Sequence, residues 1–406
     1  MIQTIIHRLL LRRHFWRYAT FSEVAELYAS RLMRIFALRL VSVFTSIYLL
    51  QLGFSILFIT LFWAGFYLLK VLFSYPNALQ IAAFGPKHAT LISNIVSALG
   101  MFFLPFASDP HYYMVALIAW CALQAYSGSL NDMAYLVDFS KVKSSNHAGK
   151  EIGYMNIIEK IATGLSPFIG GALAFMFGPQ SVMLVSAILF LLSAVPLFAT
   201  AEPTKIHGKL QFKGYPWRTT WRSSIAEAAV GVDVYLTNVV WAIFLAVAIF
   251  GFESNKIYAQ IGGITSVTII VALLISYSYG RIIDHRKGGE LLRIGAITNS
   301  LLHFGRAFVT TPFGAVLMNI LNEASTAGYN MPFLRGMFDT ADYSGRRIEY
   351  LFIAEVMLNF GGFLLALIMG LLVWLLGNQS GMNATFIVGG ILTLLIAFPG
   401  FALYKK

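Results

Sequence analysis

"GKEIGYMNIIEK" (Gly149–Lys160) and "GRRIEYLFIAEV" (Gly345–Val356) share Gly, Ile, Tyr, a second Ile and Glu in register, with Lys150 opposite Arg346. Each runs from a basic loop into a long apolar stretch. A loop-and-glutamate pattern that recurs this way points to a chain built from two related halves. The chain is 58% hydrophobic and 12% charged, with a mean hydropathy of +0.72. A soluble domain carries about 25% charged residues. So apolar a chain of 406 residues cannot cover itself with polar surface. It reads as an integral membrane protein.

Working outward from the two copies, stretches of the ~20 apolar residues that a spanning helix needs fall near 31–52, 55–76, 89–107, 112–136, 152–176, 179–200, 224–250, 257–279, 291–309, 313–334, 349–376 and 382–404. The copies enter the fifth and the eleventh. The most polar break, 201–222, divides the spans six and six. The expected fold is all-α, with 12 transmembrane helices in two pseudo-symmetric six-helix bundles. The divisions are a basic amphipathic N-terminal segment (1–30), an N-terminal bundle (31–200), a cytoplasmic linker (201–222) and a C-terminal bundle (223–406).

The net charge of +11 would suggest nucleic acid in a soluble protein. Here, outside the spans, Lys256 alone falls on one side and the other Lys and Arg fall on the opposite side. That is the positive-inside pattern. It predicts both termini in the cytoplasm and needs no nucleic acid partner. "MIQTIIHRLLLRRHFWRY" lacks the apolar core of a signal peptide. It reads as a helix lying on the membrane surface, or as a cytoplasmic tail. Cys121, the one cysteine, cannot form an intramolecular disulfide and reads as packing.

Two six-helix halves with recurring loops suggest a transporter made of repeats. At this point the chain resembles the major facilitator superfamily over about 30–404. That family has a loop pattern of glycine, acid and basic residues between its second and third helices. "ALQIAAFGPKH" (Ala78–His88) keeps Gly85, Lys87 and His88, with Ala78 and Ala82 where Gly and Asp belong. "GRIIDHRKGG" (Gly280–Gly289) keeps Gly280 and Asp284, with His285 and Arg286 following and Gly288 one place late. The resemblance implies a cytoplasmic gate at Gly85, Lys87, Gly280, Asp284 and Arg286. The missing acid in the first half puts the usual form of that lock in question.

"GYMNIIEKIATGLSPFIGG" (Gly153–Gly171) is similar to the fifth-helix motif of that family's drug/proton antiporters. Gly153, Pro167, Gly170 and Gly171 match it; Ala162 and Ser166 stand in for glycine. Small residues on one face let helices approach closely, and proline bends a helix. Together they read as a hinge, or as plain helix packing.

A charge at the bilayer centre costs roughly 2.5–3.5 kcal/mol on insertion scales, so each needs a reason. Arg39 sits about 12 Å along its helix from Arg31 at 1.5 Å per residue. It would bind an anionic group or pair with a carboxylate. Glu323, beside Asn322 in the middle of the tenth span, is the best-placed acid for proton coupling, in surroundings expected to be apolar. Asp233 comes next. Asp132 could gate, or pair with Lys87. Arg306 and Lys70 are expected to snorkel from helix ends. The repeated glutamates, Glu159 and Glu355, read as symmetric gate acids that pair with basic residues of the loops after the second and eighth helices. Proton or substrate sites, and simple snorkelling, are the alternatives.

No phosphate-binding Gly-x-x-x-x-Gly-Lys loop or metal-ligand spacing occurs in the sequence. The chain is expected to be no enzyme, to need no cofactor or metal, and to act as a monomer in the cytoplasmic membrane with protons and a small-molecule substrate as partners. The resemblance implies proton-coupled export of an amphipathic or drug-like compound. Import of a nutrient, anionic on the strength of Arg39, is the runner-up. A non-transporting receptor or a lipid scramblase on the same fold is the reading from another class.

Overall fold

In hydrocarbon no water is present to satisfy a free N–H or C=O, so a spanning chain must bond its own backbone as helix. The computed structural model describes residues 21–142, 148–198, 210–283 and 287–404, and its described residues are helical throughout, with short connections. The helices are α1 (Phe21–Ser42), carried on by Thr45–Gln51; α2 (Ile56–Phe84); α3 (Pro86–Phe103); α4 (Tyr113–Val142); α5 (Ala148–Phe177); α6 (Pro179–Ala194); α7 (Trp217–Tyr235), carried on to Phe250; α8 (Lys256–Ile282); α9 (Gly288–Arg306); α10 (Pro312–Tyr343); α11 (Arg347–Leu376); and α12 (Asn378–Thr393). These twelve rods meet the expected number. Nine stretches among the described residues are long and apolar enough to cross a membrane by themselves.

The halves repeat in their turns. A single glycine separates α5 from α6 and α11 from α12: Gly178 at φ +84° and Gly377 at φ +80°. Such values suit glycine alone. They reverse the chain within one residue at equivalent places in each half. Gly85, at φ +86°, does the same between α2 and α3, with Pro86 fixed as the first helical residue after it.

The boundaries of four helices differ from expectation. α7 begins at Trp217 rather than at 224, so Trp217–Arg222 belong to a helix and not to the linker. Pro216, which precedes them, lacks the N–H to extend that helix backward. Trp217 and Trp221 stay exposed, as suits the headgroup zone. α2 and α10 run on to Phe84 and Tyr343, straight through Pro76 and Pro332. α1 starts at Phe21, inside the segment assigned to 1–30; the surface helix proposed for the first 18 residues lies outside the described residues. So do 199–209, which include the first part of the linker.

Buried apolar side chains form two clusters. One, around Phe44, Trp63, Trp120, Tyr258 and Phe386, holds one end of the bundle. The other, around Leu130, Phe333, Tyr350 and Phe401, holds the opposite end.

Two seams join the halves, α5 against α8 and α2 against α11. Both rest on glycine. A methyl group at Gly171 would strike the Tyr258 carbonyl of α8, and one at Gly262 would strike the Pro167 carbonyl of α5. Ser266 donates to the Gly164 carbonyl in the same seam at 2.5 Å. Gly170 faces the other way, and its Cβ would lie 2.6 Å from the Leu40 carbonyl of α1. The adjacent pair therefore serves two contacts: Gly170 inside its own half, Gly171 across to the other. On the second seam Gly362 lies under the Tyr67 ring. Gly153 lies in α5 nearer its start.

One end of the interface is shut by polar contacts between halves. Gln51 Nε2 donates to the Phe252 carbonyl at 2.9 Å, and the Tyr258 hydroxyl donates to Gln51 Oε1 at 2.6 Å. Replacing Gly171 by Leu is expected to overpack the α5–α8 seam at a cost of about 1–3 kcal/mol. A lowered thermal midpoint in detergent checks this, with Gly263→Leu as control because Gly263 has no neighbour within 4 Å.

Candidate functional site

A helix shows one stripe to its neighbours, so polar residues that recur at three and four share a face. On α10, Asn319, Asn322, Glu323, Thr326 and Asn330 follow that spacing. They line a cavity of about 340 Å³ between the two halves, a volume typical of small-ligand sites. α1 adds Arg39. α5 adds Glu159, Lys160 and Thr163. α7 adds Asp233, Thr237, Asn238 and Trp241, and α8 adds Thr265 and Thr268. α7 is unwound to π geometry over Leu236–Val240, which shifts Thr237 and Asn238 out of regular register. Such bulges occur often at functional sites.

Two polar contacts cross the cavity between halves. Lys160 Nζ of α5 lies 2.6 Å from Glu323 Oε1 of α10. That oxygen accepts no aligned hydrogen bond, so the contact is a charge pair. Arg39 Nη1 donates to Asn238 Oδ1 of α7 at 3.0 Å. The cavity acid Glu159 is engaged by Arg31 at 3.1 Å. Among the described residues, Arg39 thus meets the cavity paired with an amide and not with a carboxylate.

Several expectations are overturned here. Glu323 sits in polar surroundings, opposite Lys160, not in apolar ones. Lys70 and Arg306 do not snorkel. Lys70 is 7% exposed, with carboxylate partners on two neighbouring helices, and Arg306 is fully buried against Thr237 of α7 and His303 of its own helix. Asp132 pairs with Lys70 at 3.1 Å, not with Lys87. Among the described residues, the two glutamates have other partners. Glu355 meets the same Lys70 at 3.5 Å across the α2–α11 seam, while Glu159 meets Arg31 within its own half. Their sequence positions are equivalent but their partners are not. Gly85 and Lys87 sit at the α2–α3 junction, with Lys87 buried, and Gly280 lies in α8. Asp284 and Arg286 lie outside the described residues.

Behind the cavity each half holds a buried polar packet. In the first, Arg34 of α1 donates to Asn94 Oδ1 of α3 at 2.7 Å and to the Ser127 carbonyl of α4 at 3.3 Å. In the second, Asp233 of α7 accepts from Asn299 of α9 at 2.7 Å and from the Tyr329 hydroxyl of α10. The packets use matching helices, each with an asparagine on the third, but one centres on a cation and the other on an anion. Asp233 also contacts His303 of α9 at 2.6 Å.

Asn299 and His303 escaped the sequence reading, and Arg306 was placed at a helix end rather than beside them. Their spacing of four and three in an apolar helix was the available signal. Arg34 was hidden among the basic residues assigned to the cytoplasm.

Residues 27–346 match the Major Facilitator Superfamily. An MFS-type transporter of Methanocaldococcus jannaschii is 22% identical over 366 residues, which cover 86% of this chain and 92% of that one. A bacterial homologue of the iron transporter ferroportin, solved outward-facing, aligns with a TM-score of 0.70 at 12% identity over 94% of this chain and 99% of its own. The E. coli fucose:proton symporter aligns with a TM-score of 0.65 at 14% identity over 93% and 98%. At such identities the two structures share the fold.

Removing one partner of a buried ion pair leaves the other charge uncompensated, at a cost of about 3–5 kcal/mol. Lys70→Met is expected to destabilise by that order, chiefly through Glu355, whose side chain is 3% exposed. Adding Glu355→Gln should recover part of the loss. Thermal unfolding of both single variants and the double variant, read as a double-mutant cycle, measures the coupling.

Proposed function

The chain belongs to the Major Facilitator Superfamily and is a transporter, and on that premise we propose that it carries a small hydrophilic anion by alternating access, coupled to the proton gradient. One observation carries the substrate reading: Arg39 faces a polar cavity between the halves with an amide as its partner. A guanidinium so placed keeps donors for a carboxylate or phosphate. The density of amide, hydroxyl and charged groups in the lining suits a hydrated solute better than an amphipathic drug. It moves the preference from export of such a compound to the anionic alternative.

The two halves rock on the α5–α8 and α2–α11 seams. Pro167, Gly170 and Gly171, with Gly153 earlier in the helix, form the hinge. The Lys70–Asp132–Glu355 cluster, together with the motif residues Gly85, Lys87 and Gly280, gates the face that the positive-inside pattern assigns to the cytoplasm; Asp284 and Arg286 belong to the same gate by their motif. Both termini lie on that side of the cytoplasmic membrane, and the unit is a monomer without enzymatic activity. Glu323 and Asp233 are the cavity acids available to a proton, with Asn322 beside the first. A proton on Glu323 would release Lys160 toward an anion in the cavity.

The test is uptake into proteoliposomes under an imposed pH gradient, with organic anions, sugars and cationic dyes offered in turn. An anion is expected to enter with protons. Arg39→Gln is expected to weaken its apparent affinity roughly 10- to 100-fold, as for loss of one charged hydrogen bond of about 1.5–3 kcal/mol. Transport of a dye with no anion moved would restore the antiporter reading. Glu323→Gln with an unchanged proton-to-anion ratio would remove Glu323 from the coupling and leave Asp233.

A further inference from the structure

Asn299, His303 and Arg306 share one face of α9, and all three are fully buried. Donor chemistry fixes how they are joined. A guanidinium can only donate. Arg306 Nη1 lies 3.3 Å from His303 Nδ1, so that nitrogen accepts and the imidazole carries its proton on Nε2. From there it donates to Asp233 Oδ1 at 2.6 Å. Asn299 donates to the same oxygen, and the Tyr329 hydroxyl to the other. Asn299 Nδ2 also lies 3.3 Å from Nε2, but its shorter bond goes to Asp233, so this assignment makes His303 neutral with its one basic nitrogen facing a cation.

Arg306 is poorly satisfied for a buried charge. Its Nη1 is shared between His303 and Thr237 Oγ1, also at 3.3 Å. Its Nε and Nη2 are buried without a hydrogen-bond partner, an arrangement that is costly and rare. The guanidinium carbon lies 4.8 Å from the Trp241 ring centre. Thr237 and Trp241 both line the cavity, so Arg306 stands directly behind its wall. The residue after Thr237 is Asn238, the partner of Arg39. Two guanidinium groups, one from each half, thus converge on neighbouring residues of the α7 π-turn.

We propose that Arg306 is a second ligand for the transported anion, held behind the cavity wall by neutral His303 and delivered into the cavity when His303 takes a proton. A proton on Nδ1 turns the acceptor into a donor that faces another donor and sets two cations 3.3 Å apart. That contact must break, while the imidazolium stays on Asp233. Arg306 then moves past Thr237 toward Arg39. Before protonation Asp233 and Arg306 balance each other. Afterwards the site holds one net positive charge, which a carboxylate or phosphate neutralises. The proton and the anion then each strengthen the other's binding, by the reciprocity of linked equilibria. The other charged groups do not upset this balance. Glu227 of α7 and Glu323 of α10 act on Tyr329 only through space, and α12, packed against α9, brings no ionisable side chain. The inference rests on the anion reading of the cavity and adds its proton-bearing residue.

Trp241 fluorescence reports the switch without substrate. In nanodiscs the wild type is expected to show a one-proton transition between roughly pH 5 and pH 9, the range open to a histidine. The transition should vanish in W241F, in R306Q and in H303Q, whose amide can copy both bonds of the neutral ring but holds no proton. Lactate, succinate and glycerol 3-phosphate are then added in turn. One that binds Arg306 should raise the midpoint by about one pH unit for each tenfold preference for the protonated form, and Arg39→Gln should shrink that shift. A transition that persists in H303Q, or none in the wild type, overturns the proposal. Anion uptake into liposomes that keeps its proton ratio in H303Q overturns it while the anion reading stands. Anions that neither shift the midpoint nor enter liposomes overturn the anion reading itself.

Discussion

A charge taken into hydrocarbon has no water to turn to, so its partner must come from another helix. That constraint organises most of this protein. Lys70 can lie buried on α2 because α4 offers Asp132 and α11 offers Glu355. Arg34 can lie buried on α1 because Asn94 and Ser127 receive it. Each solution joins two or three helices at one depth. The charges act as fasteners, and their positions along the helices set which rods must be neighbours.

The fasteners differ in what they hold. Those inside a half, such as the Arg34 and Asp233 packets, hold three helices in a fixed arrangement. Those between halves are fewer and lie where motion is needed: Lys160 with Glu323, Arg39 with Asn238, Lys70 with Glu355, and Gln51 with Tyr258. Between these, the α5–α8 seam sets glycine against backbone carbonyl, and the α2–α11 seam sets Gly362 under the Tyr67 ring. At Gly171 and Gly262 the backbones meet without interlocking side chains.

The duplication also shows where symmetry was abandoned. Gly178 and Gly377 still turn the chain in the same way at equivalent junctions. Glu159 and Glu355 still occupy equivalent positions, yet one serves its own half and the other bridges the seam. Asn94 and Asn299 sit at the centres of corresponding packets, but they hold a cation in one half and an anion in the other. The scaffold kept its repeat; the charges diverged, and the cavity has Arg39, Lys160 and Glu159 on one wall and Asp233 and Glu323 on the other.

Composition, span length, basic loops and the repeated pattern are local properties of the chain, and they were sufficient to determine an all-helical membrane protein of twelve rods in two halves. Helix ends were less legible. Pro76 and Pro332 lie inside helices, and Trp217 begins one, because neighbouring rods and the headgroup zone decide whether a proline or a tryptophan ends a span. The polar stripe of α10 was present in the spacing from Asn319 to Asn330, and so was the face of α9 that carries Asn299, His303 and Arg306. What the sequence could not determine was which charge answers which. Lys70 and Arg306 looked like residues at helix ends free to reach water, and Glu323 looked isolated. A pairing depends on the rotation and depth of two helices that are distant in sequence. Only the packing of the rods decides that, because a few degrees of helix rotation separate an ion pair from a charge facing lipid.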